Sequence, residues 1–177
     1  LTELTAELRF KYHLPIQYVS GGNSSSLPLL YEGKIPAGVN HLRIGEGILL
    51  GRETLRGSNL SDLHGDAFVV EAEILQVQQK AGQPTGPVGL DAFGRIPEFT
   101  ESEGGIRLLM NLGEQDTPVE GLRPLEPGVK VLGGSSDYLV LASERPFRVG
   151  QTIQFLPSYW SLLSLMTSPY VTKEYWV

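Results

Sequence analysis

Two loops rich in glycine and serine, Ser20-Gly21-Gly22-Asn23-Ser24-Ser25-Ser26 and Gly45-Glu46-Gly47-Ile48-Leu49-Leu50-Gly51, each follow a short apolar run near the start of the chain. The segments around them predict the order helix, strand, loop, helix, strand, which is the pattern of a parallel βα architecture. Leu4, Leu8 and the Phe10–Tyr12 region fall at helical spacing and predict one amphipathic helix over Thr2 to Tyr12, closed by Pro15. Ile16 to Val19 reads as the first strand, Leu27 to Tyr31 as a helix with Ser26 as its N-cap, and Val39 to Ile44 as the second strand. Two or three parallel strands leave open edges and an unfilled interior, so residues 1–62 read as the tail of a TIM-type β/α barrel that they cannot close alone.

From Leu63 onward the pattern changes to short alternating runs separated by Gly, Pro and acidic turns. Such alternation predicts an antiparallel β domain over residues 63–177. Candidate strands are Ala67 to Val77, Ile106 to Leu112, Val129 to Leu132, Tyr138 to Ala142 and Thr152 to Phe155. Gly82 to Pro87 and Thr100 to Gly105 read as exposed turns or loops. A last helix, Tyr159 to Met166, places Tyr159, Leu162, Leu163 and Met166 along one side. The fold class is therefore α/β followed by all-β.

Glycines let a backbone approach a ligand closely, and serine hydroxyls and freed N–H groups are donors, so the two loops together suit an anion such as phosphate. Arg43, at the end of its strand, adds a fixed cation. The pattern resembles the back half of the fold-type III, pyridoxal-phosphate-dependent amino-acid racemases. In alanine racemase an Asn-Ser pair ends one barrel strand and an Arg-x-Gly-x-x-x-x-Gly segment ends the next. Here Asn23-Ser24 and the segment from Arg43 to Gly51 look like those two pieces. The wording Gly-Gly-Asn-Ser-Ser-Ser, with Asp91-Ala92-Phe93-Gly94 later, is closer to the predicted amino-acid racemases that include ornithine racemase.

That resemblance implies a role for several residues. Ser24 binds the cofactor phosphate with Asn23 in support, and Gly45 and Glu46 offer backbone N–H groups. Tyr170, in a Thr-x-x-Tyr ending at Thr167 to Tyr170, brings a hydroxyl to the same phosphate. Arg43 faces the pyridine nitrogen, where a permanently protonated guanidinium keeps that nitrogen unprotonated and weakens the ring as an electron sink. The plain alternative for Arg43 is a surface ion pair with Glu46 or Glu53. The histidine that precedes the Asn-Ser pair by three residues in alanine racemase is Ser20 here.

Racemisation needs two groups on opposite faces of the α-carbon. In the family these are a lysine, which carries the cofactor, and a tyrosine in a Gly-Tyr-x-Asp motif of the partner subunit. The matching stretch is Gly113-Glu114-Gln115-Asp116, with a carboxylate in place of the phenol. Either Glu114 is the base, with Asp137 the other candidate presented to a neighbour's cofactor, or the base lies elsewhere and Glu114 or Asp116 reads the substrate side chain; the plain alternative is an acidic turn in solvent. Ser135-Ser136-Asp137 resembles the segment whose backbone N–H groups hold the substrate carboxylate, which puts Ser136 there. Asp91 is a candidate partner for a distal ammonium. Lys11, Lys34, Lys80, Lys130 and Lys173 match no lysine motif of the family. The resemblance therefore implies a lysine-bearing N-terminal half, in the same or a separate chain, and a homodimer of the complete enzyme.

A net charge of −6, with 14 Lys and Arg scattered singly, disfavours a nucleic-acid partner. The chain has no cysteine and its three histidines lie far apart, so neither thiolate chemistry nor a metal cluster is expected. A reduced, cytoplasmic setting is compatible with that. No apolar run is long enough for a bilayer, so no membrane partner is expected. A first residue of Leu rather than Met suggests a fragment, a processed product or one subunit of a split enzyme. The expected activity is interconversion of L- and D-amino acids, with ornithine, lysine or another basic amino acid as substrate. Two rivals are a decarboxylase of the same fold and a non-catalytic β module for dimerisation or phosphate-ligand binding. Arg43 speaks against the decarboxylase, because relatives of that kind usually set an acid beside the pyridine nitrogen.

Overall fold

The computed structural model describes residues 1–80, 86–87, 89–90, 94, 96 and 105–176. The turns expected around residues 82–87 and 100–105 lie largely outside the described residues. Two compact units are present, Leu1–Ala67 and Phe68–Val177.

The first unit is α/β. Helix α1, Thr2–Tyr12, forms where the periodicity places it and ends at His13 in the left-handed conformation, φ 52°. Its expected apolar face is not used within the unit. Leu4, Phe10 and Tyr12 are exposed, and the buried residue is Thr5, whose Oγ1 donates to the Leu1 carbonyl at 2.9 Å.

The first strand is displaced from its expected place. Ile16 to Val19 is not a strand; β1 is Ser20–Asn23, inside the stretch read as a loop, and it pairs in parallel with β2, His41–Arg43. Asn40 explains where the ladder begins, because its Oδ1 accepts from the Val19 N–H at 2.8 Å and its own N–H donates to the Val19 carbonyl at 3.2 Å. The glycines then permit close approach. A Cβ on Gly21 would lie 2.7 Å from Val39 Cγ2, and one on Gly22 would lie 3.0 Å from Leu42 Cδ2.

Helix α2, Leu27–Tyr31, is entered through a 3₁₀ turn at Ser24–Ser26. Ser26 occupies the N-cap position, but its side chain caps nothing; Pro28 in the first turn has no N–H to satisfy. Helix α3, Glu46–Leu50, stops at Gly51, where φ is 62° and a Cβ would meet the His64 carbonyl oxygen at 2.4 Å. Glu53, only 4% exposed, then folds the next turn around its carboxylate, accepting from the N–H groups of Leu55, Arg56 and Ser58 at 2.7–3.0 Å.

The second unit is an antiparallel sheet of six strands: β3 Val70–Lys80, β4 Gly105–Met110, β5 Leu122–Pro124, β6 Val129–Gly134, β7 Leu139–Ser143 and β8 Thr152–Pro157. Their order is β5-β8-β3-β4-β7-β6. The end strands β5 and β6 also touch, so the sheet curls nearly to closure. Every strand but β5 was expected, and three residues are too few for alternation to show. Registers stack the inward rows: Ile74 opposite Met110, Met110 opposite Leu139, Leu108 opposite Leu141, Val70 opposite Phe155. These inward side chains, Val70 apart, are fully buried.

Helix α4, Tyr159–Thr167, begins at Ser158, whose Oγ accepts from the Ser161 N–H. Its buried face is Ser161, Leu162 and Leu165, which shares only Leu162 with the stripe read from sequence; Leu163 and Met166 are exposed. The reason is polar. Ser161 Oγ donates to the Pro118 carbonyl at 3.0 Å, and its carbonyl accepts from Thr117 Oγ1 at 3.2 Å, which turns that side of the helix inward. No helix among the described residues is long and apolar enough to cross a membrane.

Phe155→Ala, at a side chain with no exposed surface, is expected to destabilise the second unit by about 3–5 kcal/mol in urea unfolding followed by tryptophan fluorescence. The backbone N–H of Ser58 first, with those of Arg56 and Leu55, holds the Glu53 carboxyl below its ordinary value of 4.5, against burial, which raises it. A folded pKa below the unfolded one means that the stabilisation is complete above the ordinary carboxylate range and is lost as pH falls through the folded value. Amide-exchange protection at Leu55, Arg56 and Ser58 should therefore drop on acidification below about 4.5 in the parent and be low at every pH in Glu53→Ala.

Candidate functional site

In the first unit, the parallel pairing sets Asn23 opposite Arg43, so both strands end at the same level. The residue after Asn23 then crosses to the second loop. Ser24 is 6% exposed, and its Oγ accepts from the N–H of Gly45 at 3.3 Å and of Gly47 at 3.1 Å. One hydroxyl therefore joins loops that are more than twenty residues apart in sequence. Gly47 packs closely there, since a Cβ would lie 2.5 Å from Leu27 Cδ1 and the buried leucine would have to shift. At Gly45 a Cβ would meet nothing within 4 Å, so the space beside its Cα is open while its N–H is taken by Ser24.

The charged groups sort themselves without Arg43. Glu46 turns to Arg52, with Oε1 3.2 Å from Nη2, and Glu53 is consumed by backbone N–H groups. Neither carboxylate of the plain alternative pairs with Arg43, which is exposed at the end of β2. Asn23 Oδ1 accepts from the Ser25 N–H at 2.9 Å and its hydroxyl at 2.7 Å, so this side chain shapes the 3₁₀ turn. Ser20 Oγ is buried and has no hydrogen-bond partner among the described residues.

In the second unit, two motifs far apart in sequence meet. The Glu114 N–H donates to the Ser135 carbonyl at 2.9 Å and the Gln115 N–H to the Ser136 carbonyl at 3.0 Å. A Cβ on Gly113 would lie 2.3 Å from the Ser136 oxygen, so the two backbones are as close as glycine permits. Glu114 is half-buried on this double loop, and Ser136 and Asp137 are exposed on the turn between β6 and β7. The Ser135 N–H bonds back to the Tyr138 carbonyl at 2.8 Å and closes that turn.

Asp116 stands differently from its expected use. It is 6% exposed, Oδ1 accepts from Ser168 Oγ at 2.9 Å, and Oδ2 faces the Gly113 N–H at 3.5 Å. Its carboxylate is enclosed by its own unit. Tyr170 is 76% exposed beyond α4, with its N–H on Ser168 Oγ at 3.3 Å. Asp91 lies outside the described residues. Sequence reasoning missed Gly47 as the second donor to Ser24 and Ser168 as the partner of Asp116. The first was legible as a second glycine two positions after Gly45; the second had no local signal, being fifty-two residues away.

Gly113→Ala should push the double loop apart and destabilise the second unit by about 1–3 kcal/mol, measured by thermal unfolding. Amide exchange at Glu114 and Gln115 should rise first.

No protein-family model matches the chain. In sequence it is 37% identical, over 98% of its length, to the ornithine racemase of Acetoanaerobium sticklandii, and 40% identical, over 99% of its length, to the lysine racemase of Thermotoga maritima. The chain spans about half the length of these curated relatives, 50% of each. Among solved structures it is similar to D-threonine aldolase from Filomicrobium marinum, with a TM-score of 0.57 and 16% identity over 92% of this chain and 40% of that one. It is also similar to alanine racemase from Bartonella henselae with covalently bound pyridoxal phosphate, with a TM-score of 0.54 and 20% identity over 93% and 45% of the two chains. At such identities the structural likeness is one of fold.

Proposed function

We propose, from the kinship of this chain with the fold-type III amino-acid racemases, that it forms the C-terminal part of a pyridoxal-phosphate-dependent racemase acting on ornithine, lysine or another basic amino acid. Residues 1–62 would supply the last strands of the β/α barrel and residues 63–177 the antiparallel domain. A lysine-bearing half would supply the other strands and the cofactor's covalent attachment. The exposed Leu4, Phe10 and Tyr12 of α1, and the bare edges of the β1–β2 pair, are surfaces that such a half would cover. The complete enzyme would be a cytoplasmic homodimer.

The observation that carries the reading is the junction at Ser24. Its hydroxyl gathers two backbone N–H groups onto one side of the strand ends, next to an arginine that neither Glu46 nor Glu53 engages. Open space at Gly45, beside the end of the pair where Asn23 and Arg43 stand opposite, fits a polar ligand there. Ser24 would hold phosphate through its hydroxyl hydrogen and Glu46 through its backbone N–H, with Gly45, whose N–H donates to Ser24 Oγ here, turning toward the ligand and Asn23 shaping the turn. Arg43 would face the ring nitrogen. Tyr170, by its place in the Thr-x-x-Tyr ending, would add a hydroxyl to the phosphate.

When bound, pyridoxal phosphate makes the α-proton of an attached amino acid removable at neutral pH. A guanidinium at Arg43 would donate to the ring nitrogen and so leave it without a proton of its own, which would favour return of the α-proton over other fates. Glu114, on the double loop, would hold or release that proton on the face opposite the lysine, and Asp137 lies on the same double loop as the alternative group. The backbone at Ser136 would orient the substrate carboxylate.

In the complete enzyme, L-ornithine or L-lysine in deuterated water should lose its α-proton NMR signal and yield the D-enantiomer on chiral chromatography. Release of carbon dioxide, or no exchange at all, would count against the racemase. Arg43→Ala should lower kcat/KM for racemisation by about 10²–10³-fold, the scale seen when one preorganised charge-stabilising donor is removed. Ser24→Ala should weaken cofactor binding about tenfold, read by fluorescence titration.

A further inference from the structure

We infer that Asp116 is a positioning residue: it locks the Gly113–Gln115 loop against the end of α4, and so fixes where the Glu114 carboxylate stands. Spacing supplies the first argument. Glu114 and Asp116 lie two residues apart in a tight turn, one half-buried and the other 6% exposed, so their side chains leave the turn in different directions. A group enclosed that far is placed to hold its neighbours on the turn.

The hydrogen bonds supply the second. Asp116 Oδ1 takes the Ser168 hydroxyl at 2.9 Å, its Oδ2 faces the Gly113 N–H at 3.5 Å, and its own N–H returns to the Gly113 carbonyl at 3.0 Å. Ser168 is itself 7% exposed and is the residue at which α4 ends, and its carbonyl accepts from Lys173 Nζ at 2.6 Å. The loop is thus gripped on one side by Ser135 and Ser136 through the Glu114 and Gln115 N–H groups, and on the other by a carboxylate anchored to the helix end. Gly113, with no room for a Cβ, leaves the loop no alternative seat. What Glu114 does there rests on the racemase reading; that Asp116 holds it rests on this geometry.

Two measurements separate the two claims. The first is site-resolved amide exchange on the full protein. Asp116→Ala should speed exchange at Glu114 and Gln115 by about tenfold or more, the scale of losing a hydrogen bond to a carboxylate, while Leu108 and Leu141 amides in the sheet keep their protection. Asp116→Asn keeps the volume and one acceptor, should raise exchange less, and serves if the alanine variant fails to fold. Unchanged exchange at Glu114 and Gln115 in both variants would overturn the inference.

The second is the rate of α-proton exchange into deuterated water, measured from each enantiomer separately in the complete enzyme. Glu114→Gln should slow exchange mainly from the enantiomer whose α-proton faces it. Asp116→Ala should slow exchange from that same enantiomer by about tenfold or more, with Asp116→Asn partly restored, a bias that a general loss of stability does not produce. An equal loss from both enantiomers in Asp116→Ala, where Glu114→Gln shows the bias, would overturn the inference; a Glu114→Gln variant with no bias overturns Glu114 as the base instead. A parent enzyme that exchanges neither enantiomer overturns the racemase reading instead, and the amide measurement then decides the role of Asp116 by itself.

Discussion

The first unit depends on the hydroxyl of Ser24. Its two strands pair over only a few residues, which is little ladder to hold a parallel pair together. Ser24 extends the union past the strand ends by accepting from the Gly45 and Gly47 N–H groups, at a site almost closed to solvent. Each of those N–H groups belongs to the start of a helix that has no side-chain cap, so the hydroxyl meets a demand the local sequence leaves open. The same arrangement leaves space beside Gly45 and sets Glu46 toward Arg52, which keeps a negative side chain engaged elsewhere.

Hydroxyls play a comparable part in the second unit. Ser158 caps α4, Ser161 and Thr117 tie it to the segment ahead of β5, and Ser168 ties its end to Asp116. A short donor in a buried place can serve a backbone carbonyl and still pack closely, and Gly121 beside Ser158 and Ser161 shows how closely: a Cβ there would lie 2.1 Å from Ser161 Oγ. The helix is therefore seated by polar geometry, with Leu162 and Leu165 filling the space that geometry defines.

Where the chain alternates or turns regularly over several residues, the sequence was readable: α1, α2, α4 and five of the six strands of the second unit lie where periodicity places them, within a few residues. It failed where a tertiary contact decides. Ser20 to Asn23 looks like a loop because glycine and serine are poor strand formers, yet it is the strand, since only glycine can lie that near Val39 and Leu42. The buried side of α4 could not be read from hydrophobicity because serine, not leucine, chooses it. At the site, the Ser24–Gly45 junction was foreseeable from spacing. The meeting of Glu114 with Ser135 was suggested only by resemblance, and the withdrawal of Asp116 into the interior was not legible, because its partner lies across the domain.

The curl of the six-stranded sheet bears on how such a protein can be divided and recombined. With β5 and β6 brought side by side though not hydrogen-bonded to each other, the second unit turns its two sheet edges toward one another and leaves less open border than a flat sheet would. The first unit has no such curl. A parallel pair of very short strands, with no third strand beside it among the described residues, leaves main-chain groups on both flanks for another segment to meet.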